Sequence, residues 1–185
     1  MKIPRQAKKV FTGEIFDIYQ WPQKMFDGST ATFEMIKRPD TVQIIAIQDG
    51  KIITTKEFQP GHKRDHGLIG GRVDRGEKPF AAAKRELLEE SGMISKKWSL
   101  IKKYEPVHKM EWTVYYYVAR DCKIIAKQNL DAGEKITLCQ KTFEQFVEDA
   151  VTLPQWNNQF VGDVLKMQIK GKTELAKFKK QIFGK

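Results

Sequence analysis

Between Gly71 and Met93 the chain reads GRVDRGEKPFAAAKRELLEESGM, and its acidic residues are spaced for chemistry. Glu77 stands before a run in which Arg85-Glu86 is followed by Glu89-Glu90. Pro79 suits the first position of a helix and Gly92 the left-handed residue that ends one. On that helix Glu86, Glu89 and Glu90 lie three and four residues apart and share a face. Like charges at this spacing repel, and packing them together without a counter-ion should raise the pKa of at least one. A divalent cation removes the conflict. An all-oxygen ligand set selects Mg²⁺ or Mn²⁺ over zinc. Gly70-Gly71 could let a backbone carbonyl reach the same ion. Glu77 can fold back towards the helix, and Arg85 is adjacent to Glu86. A solvated acidic face is the plainer explanation of a generic E-x-x-E-E. The full spacing tells against it: Gly71, five residues, Glu77, seven residues, Arg85-Glu86-Leu87, one residue, Glu89-Glu90, one residue, Gly92-Met93.

The elements that must position this segment follow from periodicity. Within the helix, Phe80, Ala83, Leu87 and Leu88 form an apolar stripe, with the glutamates expected roughly opposite. Before it the chain reads as strands: Val10–Tyr19, Ala31–Lys37, Thr41–Ile47 and Lys51–Phe58. Asp27-Gly28 separates the first two, and Asp49-Gly50 signals a type I′ hairpin between the last two. Val42, Ile44, Ile45, Ala46 and Ile47 are apolar enough for a central strand. Strands recur at Trp98–Tyr104, Trp112–Ala119 and Ile136–Gln140. Thr142 to Gln145 has capping-box form and opens a helix to about Ala150. Two further helices, Asn158–Ile169 and Thr173–Ile182, flank Gly171, and Leu175, Phe178 and Ile182 share a face of the last. Strands, helix, strands, helices imply an α/β fold with a mixed sheet and helices packed on it.

Composition narrows the function classes. At 185 residues with 41% hydrophobic and 30% charged residues, one packed domain is expected. No apolar run approaches the length of a membrane span, and residues 1–10 hold no apolar stretch of the kind a secretory signal needs. Two cysteines, Cys122 and Cys139, exclude a disulfide framework and a cysteine zinc site, and suit reduced thiols in the cytoplasm. The net charge of +10 resides at the ends, with +4 in residues 1–10 and +6 in residues 166–185, while residues 11–165 sum to zero. A basic groove through the body of the fold, and with it a nucleic-acid partner, is not indicated.

The Gly71–Met93 spacing is a complete Nudix box, and the chain resembles the Nudix hydrolases. The resemblance implies an α/β/α sandwich with a mixed sheet. It also implies hydrolysis of a nucleoside diphosphate linked to another moiety, with Mg²⁺ or Mn²⁺ bridging the diphosphate. By position, Glu86 and Glu90 would be the principal metal ligands, Glu89 a ligand or the holder of a metal-bound water, and Gly70 would lend its carbonyl. Arg85 would orient the glutamates and Glu77 would support the loop. The flanks resemble the ADP-ribose pyrophosphatase branch, through Phe33-Glu34, Arg38-Pro39-Asp40-Thr41-Val42, Lys56-Glu57-Phe58 and Asp131-Ala-Gly-Glu134. Glu134 would then be the catalytic base, with Asp131 second. That branch is typically a homodimer whose N-terminal strands help bind substrate. The implied organisation is an N-terminal strand region (1–37), a hydrolase core (38–150) and C-terminal helices (151–185). Three positions depart from the branch: Gln59 where an arginine is usual, Gly67 where a glutamate is often found, and Pro106-Val107 where Pro-Gly usually follows. A non-catalytic nucleotide sensor, and an RNA-processing or nucleoside triphosphate enzyme, are the alternatives.

Several other residues invite functional readings. His62 and His66 form H-x-x-x-H, but after Pro60-Gly61 this reads as a loop and not as a zinc site. Lys63 or Arg64 in that loop could contact substrate phosphates, and Arg72 is grouped with them as a substrate-binding candidate. Alternation sends Trp112, Val114 and Tyr116 to one face of their strand and Thr113, Tyr115 and Tyr117 to the other, mostly as core. Trp21 or Phe16 could stack on a nucleobase.

Overall fold

The fold is that of a computed structural model, which describes residues 2–153 and 158–184. Its centre is β4 (Thr41–Gln48), whose alternating side chains serve two cores. Val42, Ile44 and Ala46 pack with Ala82, Ala83 and Leu87 of α1 (Pro79–Ser91), and Ile45 and Ile47 pack on the other side with the C-terminal helices. All five are essentially buried. Each large aliphatic among them contributes on the order of 1.5–3 kcal/mol of transfer free energy. Residues 44–47 form an unbroken apolar run because both faces of the strand are covered there.

The central sheet runs β12 (Lys135–Lys141), β5 (Lys51–Gln59), β4, β10 (Val114–Arg120), β8 (Lys97–Tyr104), with β6 (His62–Gly67) paired to β5. It is mixed, since β10 is parallel to β4 and antiparallel to β8. Helix α1 covers one face. On the other lie α2 (Phe143–Thr152), α3 (Asn158–Lys170) and α4 (Lys172–Phe183). This is the α/β/α sandwich expected. A second sheet joins β1 (Lys8–Thr12), β2 (Asp17–Lys24), β3 (Thr30–Lys37) and β9 (Met110–Glu111), and β7 (Met93–Ile94) pairs with β11 (Lys123–Ile124).

Local signals explain much of this. Asp49 and Gly50 both have positive φ, 49° and 72°, as a type I′ turn requires. Gly92 ends α1 at φ 67° and donates its N–H to Leu88 O, while a Cβ there would lie 2.0 Å from Ala126 O. Thr142 forms the full capping box with Gln145. The aromatic strand β10 alternates as expected, Val114 and Tyr116 facing the C-terminal helices and Tyr115 and Tyr117 the α1 side. No helix among the described residues is long and apolar enough to cross a membrane.

Three expectations are corrected. The single strand Val10–Tyr19 is two, β1 and β2, because Gly13 donates to Phe16 O at 2.9 Å and closes a turn. The polar stretch 61–66 is largely strand β6, held to β5 by backbone pairing that side-chain polarity does not reveal. The inner face of α1 is Ala82, Ala83, Glu86, Leu87, Glu90 and Ser91, whereas Phe80 and Leu88 are 39% and 36% exposed. Glu86 and Glu90 are therefore beside the apolar contact and not opposite it.

Candidate active site

The sheet forks at β4. Near Gln48 its partner is β5, but its first half pairs with residues 69–72, through Val42 N–H to Gly71 O and Ile44 N–H to Ile69 O. Between the diverging partners and the C-terminal half of α1 opens a cleft of about 760 Å³. Glu86, Glu89 and Glu90 line it from α1, Glu57 and Gln59 from β5, and Glu134 from the turn before β12. Arg38, Arg64 and Arg72 also border it.

Arg85 organises the helix face. Its Nη1 donates to Glu86 Oε1 at 2.8 Å and Glu89 Oε2 at 2.9 Å, and its Nε and Nη2 donate to Glu77 at 3.2 and 3.0 Å. A further bond runs from Nη2 to Arg72 O. Glu77 also accepts the Asp74 N–H, so it ties the preceding loop to the helix. Its pKa is lowered first by the Arg85 hydrogen bonds, and Arg85 is in turn raised first by Glu77.

Glu86 and Glu90 are less well compensated. Glu86 is 9% exposed and its pKa rises to about 7, burial outweighing Arg85, with Glu89 and Glu134 adding repulsion. Glu90 is 7% exposed and rises to about 9, through burial and the charges of Glu57, Glu86 and Glu134. The Gly70 N–H, 2.9 Å from Oε2, opposes this rise. The glycines are required by space. A Cβ on Gly71 would lie 2.5 Å from Glu86 Oε1, and one on Gly70 2.1 Å from Val42 O. Glu134 is raised by burial and by Asp131, while Gln59 Nε2 donates to its Oε1 at 2.8 Å.

The donors are hard oxygens, and the two inward carboxylates carry more negative charge than the protein offsets. This set fits Mg²⁺ or Mn²⁺. Among the described residues no three acidic, histidine or cysteine side chains are yet gathered around one point, Glu86 being drawn to Arg85 and Glu90 to Gly70.

The family model for the NUDIX domain matches residues 37–161. The chain belongs to the Nudix family. It is 29% identical over 141 residues to an ADP-ribose pyrophosphatase of Bacillus subtilis (strain 168), covering 74% of this chain and 76% of that protein. It is 25% identical over 150 residues to a methanol dehydrogenase activator of Bacillus methanolicus, covering 77% and 80%. A solved ADP compounds hydrolase shares the fold with a TM-score of 0.71 at 21% identity, over 90% of this chain and 92% of that one. The protein is a Nudix pyrophosphohydrolase, similar to ADP-ribose pyrophosphatase.

The Nudix cleft gathers most of the residues singled out from sequence: Gly70, Arg72, Arg85, Glu86, Glu89, Glu90, Glu134 and Arg64. Two lie outside it. Lys63 is exposed on β6, 2.9 Å from Asp65 and over the Phe58 ring. Trp21 is 5% exposed, donates to Gln23 and packs against Phe33. His66 points to Asp149 at 3.6 Å, away from the carboxylates.

Sequence reasoning gave no role to Glu57, Gln43 or Arg38 in this cleft. Arg38 lies 4.4 Å from the Trp112 ring centroid and 5.8 Å from that of Phe16, with Nε buried and without a hydrogen-bond partner among the described residues. Burial, then the Arg72 charge, hold its pKa below the usual value. The signal available was the Arg38-Pro39-Asp40-Thr41 stretch, which marked a resemblance but not a role.

Proposed function

We propose that this protein hydrolyses the diphosphate bond of ADP-ribose or a nucleotide sugar, in a reaction dependent on Mg²⁺ or Mn²⁺. The products are a nucleoside monophosphate and a phosphorylated moiety. For ADP-ribose these are AMP and ribose 5-phosphate. The observation that carries the reading is the pair Glu86 and Glu90, desolvated, under-compensated and facing a cleft bordered by arginines. The similarity to an ADP-ribose pyrophosphatase supports the choice of first substrate.

Glu86 and Glu90 would hold the cation, with Glu89 beside them and the Gly70 carbonyl as a further donor. The cation would supply positive charge to the diphosphate oxygens and acidify water near neutral pH. Arg85 fixes Glu86 and Glu89 by charged hydrogen bonds, so the carboxylates do not have to reorganise during the reaction. Glu134, raised in pKa and steadied by Gln59, accepts the proton of the attacking water. Arg38, Arg64 and Arg72 grip the phosphates. Glu57 joins the acidic wall of the cleft.

The reading keeps residues 1–37 as the substrate and dimer side, 38–150 as the hydrolase core and 151–185 as C-terminal helices. In a homodimer, the exposed Val10, Phe11 and Phe16 of the N-terminal region would gain a partner, and the base subsite would draw on Phe16 there. The two unpaired cysteines suit a reducing, cytoplasmic setting.

The test is phosphate release, through a coupled phosphatase, over nucleotide sugars, dinucleotides and triphosphates with Mg²⁺ or Mn²⁺. Cleavage of ADP-ribose with kcat/KM above ~10⁴ M⁻¹s⁻¹ is expected. Turnover of triphosphates alone would move the substrate. Silence on the whole panel, from folded and metal-loaded protein, would favour a nucleotide-binding module.

A further inference from the structure

Glu57 is an unexpected acid. It lies on β5, lines the cleft and is 8% exposed, and its charge worsens the position of both Glu90 and Glu134. A chain that already concentrates carboxylates here gains nothing from another unless that acid has a task. Its contacts identify one. Glu57 Oε1 accepts the Thr55 hydroxyl at 2.6 Å, and Oε2 lies 3.5 Å from Arg64 Nη1. The two residues are cross-strand partners between β5 and β6, where the register shifts between Thr55 and Glu57.

Gly67 shows how the carboxylate is accommodated. A Cβ on Gly67 would lie 2.9 Å from Glu57 Oε1, 2.8 Å from Thr55 Oγ1 and 3.0 Å from Arg64 Cδ. Its φ is not positive, so the missing side chain makes room and does not serve a special backbone conformation. The space that a side chain at position 67 would fill is filled from β5 by Glu57. Two strand positions along, Gln59 holds Glu134. The same face of β5 thus tethers one arginine and one acid of the cleft.

We infer that Glu57 is a positioning residue, which holds the Arg64 guanidinium at the cleft so that Arg64 binds the diphosphate of the substrate. Arg64 supplies from β6 a positive charge that neutral Gln59 does not supply from β5. The inference rests on the diphosphate reading above. Arg64 is a long side chain with many rotamers. A fixed carboxylate behind it removes that freedom before substrate arrives, which favours binding over the chemical step.

The experiment compares wild type, Arg64→Ala, Arg64→Lys, Glu57→Gln and the Glu57→Gln/Arg64→Ala double variant. Calorimetry reads binding of adenosine 5′-(α,β-methylene)diphosphate, and steady-state kinetics read kcat and KM on the best diphosphate substrate. Arg64→Ala and Glu57→Gln are each expected to weaken analogue binding and raise KM by about tenfold, with kcat within about threefold. The double variant should be no worse than Arg64→Ala alone, and Arg64→Lys should recover part of the loss. The Mg²⁺ needed for half-maximal rate should not move. Unchanged Kd and KM in Glu57→Gln, effects that multiply in the double variant, or a raised Mg²⁺ requirement would each overturn the assignment. If Glu57→Gln does not fold, the two Arg64 variants carry the test, and unchanged Kd and KM in Arg64→Ala overturns it. A wild type that hydrolyses a diphosphate while the variants bind and turn over normally refutes the pair alone. A wild type that hydrolyses none refutes the hydrolase reading, and the calorimetry then still decides the pair.

Discussion

Asp163 on α3 and Glu90 on α1 are both carboxylates drawn out of solvent, and the protein treats them in opposite ways. Burial works against the charge of Asp163, but Lys102 at 2.5 Å and the Tyr104 hydroxyl at 2.5 Å outweigh it, and its pKa is lowered. That latch ties α3 to β8. Among the described residues Glu90 receives one backbone N–H and no cation, and its pKa climbs to about 9. An acid whose work is structural brings its counter-charge with it. On the function proposed above, Glu90 is left short of one because a cation is to supply it. The sequence motif places Glu90 on the helix, but only burial beside Ala83 and Leu87 makes its charge costly.

The comparison can be broken most severely by substitution at the under-compensated end. Glu90→Gln or Glu86→Gln should lower kcat/KM by at least ~10²-fold while melting temperature holds near neutral pH and rises towards pH 9, where the desolvated charges otherwise form. Steady-state kinetics beside thermal melts read both. Gly71→Ala should act on the same carboxylate without touching its chemistry. Its Cβ would displace Glu86, so about tenfold or more in kcat/KM should be lost with the fold retained.

pH should separate the two acids in the metal-free protein. Glu86 and Glu90 have folded pKa values raised above their unfolded ones, so their contribution to stability is complete below about pH 4.5. It is lost as pH rises through about 7 and then about 9. Asp163 has a lowered pKa, so its contribution is present above the unfolded value near pH 4 and lost as pH falls through the folded one. Denaturant melts should show wild type losing at least about 2 kcal/mol between about pH 5 and about pH 9, with Glu90→Gln much flatter. The smallest expected effect is at the satisfied end. Asp163→Asn should cost about 1 kcal/mol of stability, measured by denaturation, and leave kcat/KM within about twofold.

The parts of the fold written in local chemistry were legible from sequence. Asp49-Gly50, Gly92 and Thr142 each carry their own turn or cap signal, and the box spacing fixes which glutamates share a turn. What depends on partners was not legible. His62–Gly67 is polar on both faces, so nothing in it announces β6 until β5 lies alongside. Glu57 is a lone acid between Lys56 and Phe58, and its burial arises from a cross-strand register shift and the space at Gly67. The expected stripe holds Ala83 and Leu87 but takes the bulky Phe80 and Leu88 in place of Ala82. The sheet approaches so closely that the small side chains Ala82 and Ala83 face it, which rotates Glu86 and Glu90 inward.

The most direct measurement is calorimetric titration of Mg²⁺ into the wild type and Glu90→Gln proteins at about pH 7, in buffers of different ionisation enthalpy. If Glu86 and Glu90 are held partly protonated until a cation arrives, binding must release protons. The expected result is saturable binding to wild type with about one proton or more released per ion, and both signals much reduced in Glu90→Gln. Binding without proton release, or equal binding by the two proteins, would contradict the account.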